Sequence, residues 1–232
     1  MISIIILNLG AKDITQQAVN SIKLFTKVEH EIIVINQGIP EEITGMDVLV
    51  DLDKNIGFPA GCNYGAKKAK GDFLSFFNND MTLVEETYEA LLESFSRIDK
   101  LGLLSPKILD SRPPIGLTTH WAVSSLGSTF PVNRIESGKE FFLSKGEYAY
   151  PFLVPREVFE KVEGFDEAYS PFNFEDVDFN AKLRKAGYKI AIRLDKTVNH
   201  IGGFSTKRLP DISATVARNK GYFREKWGGW IV

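Results

Sequence analysis

The sequence contains one cysteine, no long hydrophobic run and almost no net charge. Since Cys62 has no second cysteine to pair with, the chain forms no internal disulfide, and a reducing cytosol suits it. The formal net charge of −2 gives no overall attraction to nucleic acid or to an acidic membrane. The apolar start, residues 2–9, lacks a basic flank and is too short for a signal segment or a membrane span. We therefore predict a cytoplasmic protein that binds no nucleic acid.

Repeats, low-complexity stretches and long linkers are absent as well. Hydrophobic residues make up 44% of the chain and charged residues 25%, as in ordinary globular proteins. At 232 residues the chain can bury a substantial core, and we predict a single domain over residues 1–232. The sequence leaves open that this domain belongs to a longer natural protein.

Residues 1–105 alternate between short β-branched runs and amphipathic stretches, a pattern typical of a parallel α/β sheet. The predicted strands are residues 2–9, 31–36, 48–52 and 72–77. The predicted helices are residues 13–26 with Asp13 as the N-cap, a glycine-rich turn and helix over 57–71, and residues 84–97. Ligands of such sheets bind beyond the carboxyl ends of the strands, so polar residues at those ends are candidate ligand contacts.

The second half of the chain is less regular. It begins with a turn-rich stretch over residues 110–131. The predicted strands here are residues 148–154, 188–192 and 196–200. The predicted helices are residues 156–161, residues 175–186 closed by Gly187, and a basic helix over 211–226.

The run FFNND, residues 76–80, carries an apolar strand directly into two amides and a carboxylate. One interpretation is structural, with Asp80 forming a turn or capping the next helix. The other is a hard-cation site, since carboxylate and amide oxygens suit Mg²⁺ or Mn²⁺ bound together with substrate phosphates. A single carboxylate makes a weak site. His200, which ends the run KTVNH, is a candidate second ligand, although a structural hydrogen bond is the favoured explanation for this histidine taken alone.

Three carboxylates, Glu175, Asp176 and Asp178, crowd the first turn of the predicted 175–186 helix. Favourable interaction with the helix dipole explains one or two of them. The aromatic approach YSPFNF would place them against apolar walls, which raises carboxylate pKa values as a general base requires, while the helix N-terminus opposes that shift. The sequence does not decide the net sign.

The stretch NIGFPAGCNYG, residues 55–65, has glycines four residues apart but is neither a P-loop nor a G-x-G-x-x-G motif. This argues against NTPases and nicotinamide enzymes. The C-terminal region is basic, which leaves open a contact with phosphate or with an anionic membrane surface. Most such faces are simply solvated.

Taken together and in order, these motifs resemble family 2 glycosyltransferases with the GT-A fold, particularly bacterial rhamnosyltransferase-like members. The segments that carry the resemblance are SIIILNLGAKDITQQAVNSI, EIIVINQG, NIGFPAGCNYGAKKAKGDFLSFFNND, REVFEKVEGFDEAYSPFNFEDVDFNAKLRKAGYKI and VNHIGGFS. The resemblance implies a Rossmann-like, mostly parallel central sheet flanked by helices, with a smaller acceptor-side subregion. It divides the domain into a nucleotide-sugar half (1–105), an acceptor half (106–205) and the basic helix (206–232).

The resemblance also implies roles for individual residues. Asp80, in a variant of the D-x-D element, and His200 would hold Mn²⁺ or Mg²⁺ at the donor diphosphate. Asp176 would be the base that deprotonates the acceptor hydroxyl, with Glu175 supporting it. Nucleotide contacts are expected from Asn8, Asn36, Asn55, Gly57, Asn63, Asn78 and Asn79. Contacts with the acceptor or the donor sugar are expected from Asp178, His120 and Trp121.

The implied reaction is an inverting, metal-assisted transfer from a nucleotide-diphosphate sugar to a glycan or lipid-linked acceptor, by a cytoplasmic enzyme at or near the inner membrane face. The sequence departs from the family at Asn36, where an acid that reads a pyrimidine ring is usual, and at Ile39, Pro155 and the NLG segment. Two alternatives stay open. One is a catalytically silent nucleotide-sugar-binding module of the same fold. The other is a sugar nucleotidyltransferase, which would want a basic, glycine-rich phosphate loop near the N-terminus.

Overall fold

A computed structural model describes residues 1–110, 121–123, 129–131, 140–144, 147–148, 152–201 and 211–228. Helices and strands alternate through the first half of the chain and become irregular in the second. The strands are β1 (Ile2–Asn8), β2 (His30–Gln37), β3 (Val48–Leu52), β4 (Phe73–Phe76), β5 (Met81–Leu83), β6 (Leu101–Asp110), β7 (Trp121–Val123), β8 (Thr129–Pro131), β9 (Phe141–Leu143), β10 (Glu147–Tyr148), β11 (Phe152–Pro155) and β12 (Lys189–His200). The helices are α1 (Lys12–Phe25), α2 (Phe58–Lys68), α3 (Tyr88–Arg97), α4 (Arg156–Lys161), α5 (Glu175–Lys185) and α6 (Ile212–Trp227), with a 3₁₀ turn at Glu167–Tyr169.

The main sheet has the strand order β3-β2-β1-β4-β11-β6-β12-β5, and β9 pairs with β12 at one side. Strands β1 to β4 are mutually parallel, as their β-branched composition predicts. The register aligns Asn8, Asn36 and Asp51 as neighbours at the carboxyl ends of β1, β2 and β3. The parallel half of the predicted fold is therefore confirmed, and it lines up three polar side chains at one edge.

The second half of the sheet is mixed. Strand β11 runs antiparallel to both β4 and β6, while β12 runs parallel to β6 and antiparallel to β5. A second sheet of three short strands has the order β10-β7-β8. The two strands predicted at 188–192 and 196–200 are instead one strand, β12, because a register shift between Arg193 and Thr197 lets the chain continue through the intervening polar residues.

Two other predicted boundaries are wrong. The helix expected from residue 84 begins at Tyr88, because residues 81–83 pair with the end of β12 as β5. Helix α1 begins at Lys12 with Ala11 at the N-cap position, so Asp13 lies in the first turn and makes no side-chain cap. By contrast, Gly187 has a φ of +84° after the last turn of α5, which confirms its predicted role in ending that helix.

The sheet is buried on both faces by helices. Helix α1 covers one face of β1 and β2 through Ala18, Val19 and Ile22. Helix α2 covers the opposite face, where Cys62 and Ala66 pack. A third, separate cluster joins α5 to α6 through Phe174, Val177, Ala181, Phe223, Trp227 and the 3₁₀ residue Tyr169. The C-terminal helix is thus packed against the end of the domain that carries the Glu175–Asp176 pair.

Within the described ranges, no helix has both the length and the apolar character needed to cross a membrane.

The contact between α2 and the sheet predicts opposite effects for one substitution at two helix positions. An added Cβ at Gly65 of α2 would lie 2.5 Å from Ile5 Cγ2, whereas one at Gly221 of α6 would meet nothing within 4 Å. We expect Gly65→Ala to lower the free energy of unfolding by about 1–3 kcal/mol through overpacking. Gly221→Ala should raise it by about 0.5–1 kcal/mol. Urea unfolding of both variants measures this, and equal effects would contradict the packing described for α2.

Candidate active site

A network of amides and hydroxyls lies beneath the carboxyl edge of β1 and β2. The Asn8 Oδ1 accepts hydrogen bonds from the Thr15 hydroxyl (2.8 Å) and the Ala11 N–H (3.1 Å). The Asn8 Nδ2 donates to Asn36 Oδ1 and to Glu41 Oε2, both at 2.7 Å. Asn8, Thr15 and Asn36 are fully buried. These buried side chains support the carboxyl edge of the sheet from inside the protein. The carboxylates to which they are bonded, Glu41 and Asp51, provide the polar surface at that edge.

The Asn36 amide binds the Asp51 carboxylate at this surface. Its Nδ2 donates to the Glu41 carbonyl (2.8 Å) and to Asp51 Oδ1 (2.7 Å). Because Asn36 is fully buried while Asp51 is exposed, the acidic group at this position comes from β3. Asn36 stands where family 2-like sequences usually have an acid, and no local sequence pattern marks Asp51 as its neighbour. Only the parallel register of β2 and β3 brings the two residues together.

Asp80 and His200, separated by 120 residues, lie side by side. The distance from Asp80 Oδ1 to His200 Nε2 is 3.3 Å, and the Ile201 N–H donates to the Asp80 carbonyl (2.9 Å). The pairing of β5 with β12 produces this arrangement, since Met81 is the register partner of His200. The structural interpretation of Asp80 as a helix cap is wrong, because the residues directly after it form a strand.

The neighbouring amides connect this pair to the network under the edge. The Asn79 Nδ2 donates to the Thr15 hydroxyl (3.2 Å), which itself donates to Asn8. The Asn78 carbonyl accepts from the Met81 N–H (3.1 Å) and so tightens the turn around Asp80. Hydrogen bonds therefore run continuously from Asn79, next to Asp80, to Asp51 at the far strand.

Residues 55–58, the glycine loop, are held between the end of β2 and residues 170–171. The Gln37 Oε1 accepts from the Ile56 N–H (3.0 Å), and the Phe58 N–H donates to the Pro171 carbonyl (2.7 Å). Gly57 has a φ of +91°, and an added Cβ would lie 2.7 Å from the Ser170 Oγ, so both backbone shape and space require glycine. Gln37 was not among the predicted site residues.

Two predicted nucleotide contacts make hydrogen bonds within the protein. The Asn55 Oδ1 accepts from the Gly57 N–H (2.8 Å) and stabilises the glycine loop. The Asn63 amide bonds the N–H and the carbonyl of Phe165 (3.0 and 2.9 Å) and the Glu167 carboxylate (2.9 Å). Asn63 thus joins α2 to the segment that leads toward α5.

Residues 169–174, the pre-α5 loop, present the carboxylate pair. Asn173 and Phe174 both have left-handed backbones, with φ values of +78° and +74°. For residues other than glycine this conformation costs roughly 1–2 kcal/mol each, so the surrounding contacts must maintain it. The N–H groups of Asn173 and of Glu175 itself act electrostatically on the Glu175 carboxyl and oppose the effect of burial on its pKa. Because the loop leads directly into Glu175, its shape determines where this carboxyl stands.

Glu175 and Asp176 differ in exposure. Glu175 is buried and its Oε2 has no hydrogen-bond partner, whereas Asp176 is partly exposed. Burial, followed by the negative charge of Asp176, raises the pKa of Glu175 well above its usual range. Burial also raises the pKa of Asp176 to about 6, against hydrogen bonds from the N–H groups of Val177 and Asp176. Glu175 is therefore the harder of the two carboxyls to ionise, and the more accessible Asp176 loses its proton first.

The remaining acid of this turn faces the C-terminal helix. Asp178 is fully buried, and its Oδ1 accepts hydrogen bonds from Trp227 Nε1 (2.7 Å) and the Tyr169 hydroxyl (3.1 Å) and pairs with Lys226 Nζ (2.8 Å). These bonds occupy it in joining α5 to α6. Of the other two residues expected at the sugars, His120 lies outside the described residues, and only the backbone of Trp121 is described, in β7.

Comparison with known proteins decides the family. The family model described as glycosyl transferase family 2 matches residues 3–162. The chain belongs to glycosyl transferase family 2. The O-antigen biosynthesis protein RfbC of Myxococcus xanthus is 26% identical over 227 residues, which cover 86% of this chain and 17% of that protein. The family 2 chain therefore spans only about one sixth of the length of this relative.

Solved structures of glycosyltransferases share its fold. GalNAc-T7, crystallised with UDP, GalNAc and Mn²⁺, superposes with a TM-score of 0.79 at 17% identity, covering 100% of this chain and 48% of that one. TarS of S. aureus gives a TM-score of 0.61 at 17% identity, covering 87% and 36%. The predicted GT-A fold is confirmed.

The raised pKa of Glu175 predicts how stability depends on pH. The folded protein binds a proton at Glu175 more strongly than the unfolded chain does, so the free energy of unfolding falls as pH rises above about 4.5, the usual value. Glu175→Gln is neutral at every pH and should lose less stability between pH 5 and pH 8. Denaturant unfolding at both pH values measures this. Glu225→Gln, at an exposed position of α6, is the control and should follow wild type. An equal loss of stability between pH 5 and pH 8 in Glu175→Gln and Glu225→Gln would contradict the raised pKa of Glu175.

Proposed function

We propose that this chain transfers a sugar from a nucleotide-diphosphate donor to an acceptor hydroxyl with inversion at the anomeric carbon. The observation that carries this proposal is the Asp176 carboxylate: it is partly exposed, lies in the first turn of α5, and has a pKa raised to about 6. A base with that pKa is largely ionised at neutral pH and can still accept a proton as the reaction proceeds. Membership of glycosyl transferase family 2 supports the same reaction class.

The donor diphosphate is proposed to lie at Asp80 and His200. Their facing oxygen and nitrogen atoms form a donor set that suits Mn²⁺ or Mg²⁺. Within the described ranges, no group of three or more histidine, cysteine or acidic side chains could hold a metal ion by itself. The pair therefore fits an ion whose other ligands come largely from the substrate's phosphates. When bound, such an ion supplies positive charge that stabilises the leaving diphosphate. GalNAc-T7, whose structure contains UDP and Mn²⁺, is consistent with this donor class.

The nucleoside is proposed to lie over the edge formed by β1, β2 and β3. The exposed Asp51 and the partly exposed Glu41 provide acceptors there, and Asn8 and Asn36 fix their positions from below. In this proposal Asn78 and Asn79 support the turn at the diphosphate. Asn55, Gly57 and Asn63 maintain the loops on the opposite side. Asp51 takes the place of the acid that the sequence lacks at position 36.

The chemical step follows from the two carboxylate environments. The acceptor oxygen attacks the anomeric carbon on the face opposite the diphosphate, and Asp176 accepts its proton. Because burial and the charge of Asp176 both oppose ionisation of Glu175, Asp176 is the carboxylate of the pair that takes the proton. Breaking the bond to the diphosphate completes a single displacement, so the configuration inverts.

The acceptor is proposed to be a glycan or a lipid-linked glycan, in line with the O-antigen biosynthesis role that names RfbC. A cytoplasmic location, with contact at the inner membrane face, is part of this proposal. The basic C-terminal helix offers limited support, because Lys226 pairs with Asp166 (2.6 Å) and Asp178 within the protein. Arg218 likewise donates to the Ser170 carbonyl.

The test of the proposed base is Asp176→Asn. The amide keeps the shape of the side chain but cannot accept the proton, so kcat should fall by about 10²–10⁴-fold while donor binding stays unchanged. In wild type, kcat/KM should rise with pH and level off above about 6, as Asp176 loses its proton. Product formation from a panel of nucleotide sugars measures both.

Asp99→Asn, at an exposed turn, serves as the control and should retain full activity. Normal turnover by Asp176→Asn would show that Asp176 is not the base. Binding of a nucleotide sugar by wild type without any turnover, across a broad acceptor panel, would favour the silent module instead.

A further inference from the structure

Helix α6 contacts the pre-α5 loop through one fully buried side chain. The Asn219 Nδ2 lies 2.8 Å from each of three backbone oxygens, those of Tyr169, Phe172 and Asn173. An amide has two N–H groups, so its two protons are shared among the three acceptors. One side chain thereby provides hydrogen bonds for three of the six backbone carbonyl groups of this loop.

Arg218 completes this contact. Its Nε and Nη2 donate to the Asn219 Oδ1 (3.0 and 2.9 Å), which fixes the orientation of the amide. The Arg218 Nη2 also donates to the Ser170 carbonyl. The two residues together bind four carbonyls of a loop that lies more than 40 positions earlier in the chain.

The same loop determines where the two carboxylates stand. The Asn173 carbonyl accepts from Asn219, and the N–H of the same residue acts electrostatically on the Glu175 carboxyl and lowers its pKa. On the other side of the loop, the Pro171 carbonyl accepts from the Phe58 N–H. The Phe174 ring packs on the Phe223 ring of α6, with centroids 5.5 Å apart. The loop is thus held between the glycine loop and α6, and it leads directly into Glu175 and Asp176.

We propose that Arg218 and Asn219 are positioning residues for the transfer reaction: they fix the pre-α5 loop and so hold the Glu175–Asp176 pair in its half-buried setting. This proposal rests on the proposed function for its kinetic consequence, but not for its structural one. The pairing of β5 with β12 brings Asp80 and His200 together, and the register of β2 and β3 places Asp51, so loss of the α6 contact should spare the donor side.

The environment of the Glu175–Asp176 pair can be measured without any transfer reaction, through the pKa values of the two carboxyls. Among the described residues, burial is the main cause of the raised pKa of both carboxyls, and the negative charge of Asp176 raises the pKa of Glu175 further. If the loop relaxes and water reaches the carboxylates, the pKa of Asp176 should fall from about 6 toward its usual 3.8. Carboxyl ¹³C NMR titration, assigned with Asp176→Asn, reports this value directly.

The experiment compares Asn219→Ala with Val19→Ala, a buried position of α1 away from the loop. In Asn219→Ala we expect the Asp176 titration to move down by at least one pH unit. We expect kcat to fall at least tenfold, with the donor KM changed less than twofold. Val19→Ala should lower thermal stability while leaving the titration and kcat near wild type. Because a buried substitution can prevent folding, Arg218→Ala, at an exposed position, is measured in parallel and should show the same changes to a smaller extent.

Several results would overturn the proposal. An unchanged Asp176 titration in Asn219→Ala and Arg218→Ala would show that the pair does not depend on α6. Equal effects of Asn219→Ala and Val19→Ala on kcat would show that the Asn219 contact contributes only to overall stability. If wild type transfers no sugar at all, the proposed function fails. The NMR titration then still decides whether α6 positions the carboxylates.

Discussion

The hydrogen bonds to the backbone of the pre-α5 loop are the constraint on which the rest of the site depends. The loop has two consecutive left-handed residues other than glycine, so its shape must come from its surroundings. The Phe58 N–H supports it on the side of the glycine loop, and Asn219 supports it on the side of α6. Glycine at position 57 follows from this arrangement, because any side chain there would collide with Ser170. A glycine motif that resembles a ligand-binding loop thus also serves to bring the two halves of the domain together.

The two acidic centres of the site stand in different environments, and this difference suits their proposed tasks. Asp80 lies against the His200 imidazole, where the donor diphosphate is proposed to bind. Asp176 lies in the first turn of α5 beside a buried Glu175, where removal of water makes the carboxylate a stronger base. A sheet edge with buried amides connects the first centre to the surface at Asp51. Asp80, the proposed cation ligand, and Asp176, the proposed proton acceptor, thus have separate contacts, with His200 and Ile201 in the first case and with the Val177 N–H in the second.

Much of this could be predicted from the sequence, and the failures have physical causes. Strands β1, β2 and β4 and helices α1, α2 and α5 follow from β-branched runs and helical spacing, which are local signals. Strand β5 could not be predicted, because three residues carry no periodicity and their pairing partner lies almost 120 positions later. Asp51, Gln37 and Asn219 were missed for the same reason. Each acts through a contact between distant segments, and an isolated polar residue on a strand or helix gives no sign of its partner.

The most direct test of the account is binding of nucleotides in the presence and absence of Mn²⁺. Thermal unfolding would be followed for wild type, Asp80→Ala and the exposed control Asp99→Ala with UDP, dTDP, GDP and CMP. The account predicts a Mn²⁺-dependent rise in the unfolding temperature for at least one nucleoside diphosphate, lost in Asp80→Ala and kept in Asp99→Ala. A rise that is equal in all three proteins, or no rise with any nucleotide, would contradict a donor diphosphate site at Asp80 and His200.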